Sequence, residues 1–210
     1  MHAKRVAGGH SCDHATVRRR TTNFELELGT ASESEANSLI DWLRTSGTKL
    51  EIGENVQYAS AIFQVRARGG GTLALFEPQP GSLPIVWIDS VQDSLATLAR
   101  QRELATRLGL VDELDFAHPM TSGYLCTRAA PGVRVGMVRE AQWAVMCLDK
   151  THDHRALDEV EPMSLYEICV RLPEARWYLG LPVKTAVLIG GGKPAEVFFD
   201  KKRRDLAPPT

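Results

Sequence analysis

Two glycine triplets restrict the folds open to this chain of 210 residues. Residues 69–71 and 190–192 each separate two short runs that are rich in β-branched and aromatic side chains. Glycine turns between runs of this kind are typical of antiparallel hairpins. We therefore predict antiparallel sheets in both halves of the chain. The predicted strands cover residues 23–28, 56–68, 72–76, 84–88, 122–128, 133–140, 142–148, 185–189 and 195–200.

Three helices are predicted from serines that stand three residues before an acidic side chain and ahead of apolar residues at helical spacing. In such a capping pair, each side chain can satisfy a free amide of the first helical turn. Glycines at 47 and 109 are expected to end the first two helices. The three pairs are Ser32 with Glu35, Ser90 with Asp93, and Ser164 with Glu167.

The order of these elements predicts an α+β fold with two small domains, each a mainly antiparallel sheet with one or two packed helices. The turn at Pro131 and Gly132 favours a meander of the strands around it. Four segments are predicted: a flexible basic arm at 1–22, an N-terminal domain at 23–115, a C-terminal domain at 120–200, and a basic, solvated tail at 201–210.

Composition places the chain among globular proteins, with 43% hydrophobic and 24% charged residues. No run approaches the roughly 20 apolar residues of a membrane helix, and no apolar run follows the basic N-terminus as in a secretory signal. We therefore expect a cytoplasmic protein without a membrane partner. Cys126, Cys147 and Cys169 stand in apolar runs, which favours buried thiols that react poorly.

The segment Asp149-Lys150-Thr151-His152-Asp153-His154 combines two histidines with two carboxylates. A metal site needs three or four converging ligands, and no distant partner stands out in the sequence. We predict a solvated loop here, with no metal and no cofactor, and the same holds for the N-terminal group His10, Cys12, Asp13 and His14.

We find no catalytic motif in the amino-acid sequence. Residues 190–193 read Gly-Gly-Gly-Lys but lack the GxxxxGK[ST] spacing of a phosphate loop, so a hairpin turn is predicted. The chain contains neither a G-x-S-x-G elbow nor an H-E-x-x-H pair. No catalytic residue is therefore named, and we expect no enzyme.

Charge is unevenly spread: residues 21–118 hold seven Lys or Arg and fourteen Asp or Glu. An acidic surface attracts basic partners. The short basic runs at 18–20 and 201–204 adjoin this acidic body, which argues against nucleic-acid binding as the main function. The candidate partner-binding residues are Glu25, Glu27, Glu33, Glu35, Asp41, Asp149, His152, Asp153, His154, Asp158, Glu159 and Glu161.

The second half resembles a known family across residues 120–200. The resemblance is carried by the strand at 134–140, by Trp143, by the capped helix at 164–168 and by the segment at 179–186. In these features the chain resembles the immunity-protein-33-like domain of bacterial polymorphic toxin systems. The resemblance implies binding of a cognate toxin and supplies no catalytic residues.

The sequence thus favours an immunity protein, similar to an antitoxin, that binds a bacterial toxin and occludes its active site. Trp87, Trp143, Trp177 and Tyr124 are possible interface anchors, although core positions suit them better. One alternative is a small metal- or histidine-dependent hydrolase or transferase that uses His152, Asp153 and His154. Another is a nucleic-acid-associated regulator that uses the basic termini.

Overall fold

The computed structural model describes residues 18–20, 24–45, 50–154 and 159–205. It confirms the α+β class: helices and predominantly antiparallel sheets share one chain. The α-helices are α1 (Glu33–Thr45), α2 (Gln92–Leu108) and α3 (Leu165–Arg171). Within the described residues, no helix is long and apolar enough to cross a membrane.

Six strands lie in the N-terminal half: β1 (Arg18–Arg20), β2 (Glu25–Glu27), β3 (Asn55–Tyr58), β4 (Ala61–Arg68), β5 (Thr72–Pro78) and β6 (Trp87–Ile88). β1 pairs with β2, and the other four form a sheet in the order β3-β4-β5-β6. Helices α1 and α2 pack with this half around a core that contains Leu26, Leu39, Phe63 and Leu95. Each of these four side chains is fully buried.

Seven strands form the sheet of the C-terminal half: β7 (Ser122–Cys126), β8 (Val135–Arg139), β9 (Trp143–Cys147), β10 (Val160–Ser164), β11 (Thr185–Ile189), β12 (Glu196–Phe199) and β13 (Lys202–Arg204). Their order is β10-β7-β9-β8-β11-β12-β13, and only the β7–β9 pair is parallel among them.

The two faces of this sheet differ because side chains alternate along each strand. One cross-strand row is buried in the core with α3 and consists of Leu125, Val145, Met137, Val187 and Val197. The neighbouring row on the opposite face is partly or fully exposed. We call that opposite face the outer face; its central row is Tyr124, Ala144, Val138, Ala186 and Phe198.

Three sequence predictions about strands are wrong. Residues 56–68 form two strands, because the chain reverses at Ala59, whose φ is 52°. The meander is wrong because β9 lies between β7 and β8. The basic runs are not simply an arm and a tail: Arg18–Arg20 and Lys202–Arg204 each add an antiparallel strand.

Two of the predicted helix ends are confirmed. Ser164 and Glu167 form the predicted capping box at the start of α3, and Gly109 ends α2 in the left-handed conformation. Gly47 lies outside the described residues. Ser90 and Asp93 do not form the predicted capping pair on α2, since a buried carboxylate from β5 occupies that place.

That carboxylate belongs to Glu77. Its two oxygens accept hydrogen bonds from the backbone N–H groups of Asp93 (3.2 Å) and Ser94 (2.7 Å). Glu77 therefore caps α2 from the sheet and joins strand to helix, with its negative charge at the positive end of the helix dipole.

Helix α2 also links the two halves. Its Leu95 and Leu98 belong to the N-terminal core, whereas Ala105 and Leu108 belong to the C-terminal core. Between these pairs, the buried Gln101 accepts a hydrogen bond from Ser60 and donates one to the carbonyl of Arg176, both at 2.6 Å. One helix thus supplies side chains to both cores.

Replacing Glu77 with alanine should lower the free energy of unfolding by about 2 kcal/mol, because two amide groups at the start of α2 lose a charged acceptor. Chemical denaturation followed by circular dichroism measures this. Glu103→Ala is the matched control: Glu103 is an exposed residue of α2, so its loss should change stability by no more than about 0.5 kcal/mol. Equal effects of the two variants would contradict the capping role of Glu77.

Candidate metal centre

Two cysteines meet at one end of the C-terminal sheet. β7 ends at Cys126 and β9 ends at Cys147. Because these strands are parallel neighbours, their carboxyl ends lie at the same end of the sheet. Both cysteines are buried and neither forms a disulfide. The pairing of the strands therefore places two thiols side by side.

A tight turn after β9 returns the chain to these thiols. The Asp149 carboxylate accepts hydrogen bonds from the backbone N–H (2.9 Å) and hydroxyl (2.7 Å) of Thr151, and its carbonyl accepts one from the N–H of His152. Arg128 holds the same carboxylate at 3.0 Å. The hydrogen bonds from Thr151, followed by the charge of Arg128, keep the pKa of Asp149 below its ordinary value. The turn directs His152 back into the protein.

The four side chains Cys126, Cys147, His152 and His154 form one cluster, in which the possible ligand atoms all lie within 4.8 Å of one another. Nδ1 of His152 is 3.7 Å from Sγ of Cys126 and 3.3 Å from Sγ of Cys147. Nε2 of His154 is 3.3 Å from Sγ of Cys147. The two imidazole rings stack with their centroids 4.6 Å apart.

These separations fit a tetrahedral metal ion. Zinc bonds of about 2.3 Å to sulfur and about 2.0 Å to nitrogen place neighbouring S and N ligands about 3.5 Å apart. Three of the four sulfur–nitrogen distances in the cluster lie between 3.3 and 3.7 Å, and all the possible ligand atoms lie within 4.8 Å of one another. The distances therefore suit an ion, although one of the two stacked rings must turn before both nitrogen lone pairs point at it.

Neighbouring groups also influence how the two sulfur atoms could act as metal ligands. The backbone N–H of Arg128 donates to Sγ of Cys126 at 3.4 Å, as an amide does to a thiolate. Desolvation raises the pKa of the Cys147 thiol, and the neighbouring Cys126 adds to this increase. A bound cation would offset that cost, because metals bind the thiolate and release its proton.

The prediction of a solvated loop at 149–154 is wrong at its centre, because the side chain of His152 is fully buried. The structure brings both histidines of this loop to the cysteines, whereas its two aspartates do not belong to the cluster. Asp149 holds the turn. Of the remaining candidates nearby, Glu159 contacts His152 at 2.9 Å, Glu161 pairs with Arg171 at 2.9 Å, and Asp158 lies outside the described residues.

The acidic candidates of the N-terminal half are scattered. Glu33 and Asp41 are exposed, and Glu25 and Glu27 are half-buried. Glu35 is buried and pairs with Arg102 at 2.9 Å, so it does not contribute to an acidic surface.

Among the described residues, two arginines of the basic runs form contacts within the protein. Arg19 pairs with Glu33 and Asn37 on α1, and Arg203 pairs with Glu196 on β12. These contacts use guanidinium groups that phosphate binding would need. The N-terminal group of His10, Cys12, Asp13 and His14 lies outside the described residues.

Sequence reasoning missed the two cysteines as ligands. The signal in the sequence is the spacing Cys147-x₄-His152-x-His154 at the end of a predicted strand. Cys126 lies 21 positions before Cys147, and only the parallel β7–β9 pairing shows that the two residues meet.

Comparisons of the chain with protein-family models, with curated proteins and with solved structures give no match. The resemblance of residues 120–200 to the immunity-protein-33-like domain therefore stays a prediction from the sequence, and the geometry of the cluster carries the functional argument.

Cys169 lies outside the cluster, and the reactivity of its thiol can be tested. Burial raises the pKa of its thiol to about 12, although part of its surface remains accessible. Since only the thiolate is nucleophilic, we expect Cys169 to resist iodoacetamide in the native protein at pH 8 and to react rapidly in urea. Timed alkylation with peptide mass spectrometry measures both rates, and equal rates would contradict the expected protection.

Proposed function

We propose that this protein binds one zinc ion through Cys126, Cys147, His152 and His154, and that the ion is structural. The observation that carries the proposal is the convergence of two sulfur and two nitrogen atoms within 4.8 Å at the end of one sheet. Those atoms come from two strands and a loop, so an ion would join three segments of the chain.

The ligand set favours zinc over other biological metals. Two thiolates and two imidazoles in a tetrahedral arrangement are a common zinc environment, whereas magnesium and calcium prefer oxygen ligands. Two thiolates also balance the charge of a divalent ion.

A structural role follows from the number of ligands. Catalytic zinc sites use three protein ligands and keep one position for water or substrate, whereas structural sites use four. Here four side chains offer one possible ligand atom each, which would complete a tetrahedron. The alternative of a metal-dependent hydrolase would need one ligand to leave. His154 is the candidate for this, because it is partly exposed whereas the other three side chains are buried.

Purified protein should contain about one zinc ion per chain, and removal of the ion by a chelator should lower its thermal stability. At a free zinc concentration 100 times Kd, binding would add about 2.7 kcal/mol to the free energy of unfolding. Inductively coupled plasma mass spectrometry and thermal unfolding measure the two quantities.

Two serine variants distinguish the loss of a zinc ligand from the loss of any cysteine. Cys147→Ser should lose the zinc and the response to chelator, whereas Cys169→Ser should keep both, since Cys169 lies outside the cluster. Zinc-free protein whose stability ignores both zinc and chelator would refute the proposal.

A second candidate function is partner binding at the outer face of the C-terminal sheet. The central row of this face exposes 43% of Tyr124 and 41% of Val138, with Ala144 between them and Ala186 beyond Val138. Contiguous apolar surface on a sheet is typical of a protein–protein interface, where tyrosine is a frequent anchor. Partner binding at the outer face is compatible with a structural zinc ion.

The partner expected from the sequence is a cognate bacterial toxin, which the protein would neutralise as an immunity protein by covering its active site. The resemblance across residues 120–200 and the exposed apolar row both support this proposal. Trp143, one of the other possible anchors, is buried in the core, so Tyr124 is the better anchor.

Val138→Lys should weaken binding to the toxin encoded by the adjacent gene by at least tenfold, because it places a charge in the middle of the apolar row. Val111→Lys is the control, since Val111 is 48% exposed but lies in a 3₁₀ helix and not on a strand of the outer face. Isothermal titration calorimetry measures both affinities, and equal binding by the two variants would argue against the outer face.

A further inference from the structure

Glu159 lies beside the metal cluster but outside its ligand set. It immediately precedes β10, and its Oε2 is 2.9 Å from Nε2 of His152. The opposite ring nitrogen, Nδ1, faces the two sulfur atoms. His152 is therefore held between a carboxylate on one side and two thiols on the other.

This arrangement determines the tautomer of His152. A neutral imidazole carries one N–H, and an ionised carboxylate can only accept a hydrogen bond. With Oε2 of Glu159 at Nε2, the proton belongs on Nε2, which leaves the Nδ1 lone pair directed at the sulfur atoms. Nε2 of His152 and Oε2 of Glu159 are 2.9 Å apart, but their orientation does not yet make a hydrogen bond. The carboxylate must therefore turn slightly to accept a hydrogen bond from the Nε2–H group.

We infer that Glu159 is a positioning residue of the metal site: it fixes His152 as an Nδ1 ligand and raises the affinity for zinc. The inference rests on the proposed zinc site. Carboxylates that accept the second N–H of a metal-bound histidine orient the ring and increase its basicity. In addition, the charge of Glu159 favours the nearby cation.

Glu159 is itself held in place by the residue next to a ligand. The hydroxyl of Thr127 donates to Oε2 of Glu159 at 3.1 Å, and the backbone N–H of Thr127 donates to the Glu159 carbonyl at 3.0 Å. Thr127 directly follows Cys126. The chain that supplies one sulfur ligand thus also anchors the carboxylate that orients the buried histidine.

The test is a zinc-affinity measurement on the full-length protein by competition with a chromophoric chelator. Glu159→Ala should weaken zinc binding roughly 10- to 100-fold. Glu161→Ala is the matched control, because Glu161 is two positions away and pairs with Arg171 outside the cluster; its affinity should equal that of the wild type.

A spectroscopic measurement distinguishes positioning from general stability. Long-range ¹H–¹⁵N correlation of the zinc-bound wild type should show His152 coordinated through Nδ1 with its proton on Nε2, and His154 coordinated through Nε2. Glu159→Ala should broaden or shift the His152 signals while those of His154 stay in place. Thr127→Val, which removes only the anchoring hydroxyl, should weaken zinc binding in the same direction by a smaller factor.

Zinc binding by the wild type together with unchanged affinity in Glu159→Ala would overturn this inference and leave the zinc site standing. Coordination of His152 through Nε2 would overturn it as well. Failure of the wild type to bind zinc would overturn the proposed zinc site, and this inference with it.

Discussion

The parallel pairing of β7 and β9 is the constraint on which the C-terminal half depends. It places β9 between β7 and β8, so that Leu125 and Val145 continue the buried row of the sheet. The same pairing brings the ends of the two strands together. An antiparallel partner for β7 at this position would have separated Cys126 from Cys147 by the length of a strand. The core and the cluster of two cysteines and two histidines therefore depend on the same strand pairing.

Local patterns in the sequence predicted most elements of this fold. The capping box at Ser164, the glycine at 109 and the hairpin glycines at 69–71 and 190–192 act within a few residues, and the structure agrees with each. The cap of α2 escaped prediction because its carboxylate, Glu77, comes from 16 residues away. The reversal at Ala59 escaped for another reason: alanine seldom adopts a positive φ, so no local signal marks the turn.

The candidate site likewise combines features that are visible in a short stretch of sequence with contacts between residues far apart in the chain. His152 and His154 were recognised as possible ligands from their spacing, but polar neighbours suggested a solvated loop. What buries His152 is contact with β7 and with Glu159, and neither is visible without the order of the strands. Cys126 and Cys147 stand in apolar runs and were therefore interpreted as buried thiols, so no partner for the two histidines was apparent in the sequence.

Helix α2 has a consequence for how the molecule unfolds. Its first half is packed into one core and its second half into the other, with Gln101 hydrogen-bonded to both sides between them. Loss of either core would expose apolar side chains of a helix that the remaining core still requires. The two halves of the chain should therefore melt in a single cooperative transition, and a ligand bound at the far end of the C-terminal sheet would protect the N-terminal sheet as well.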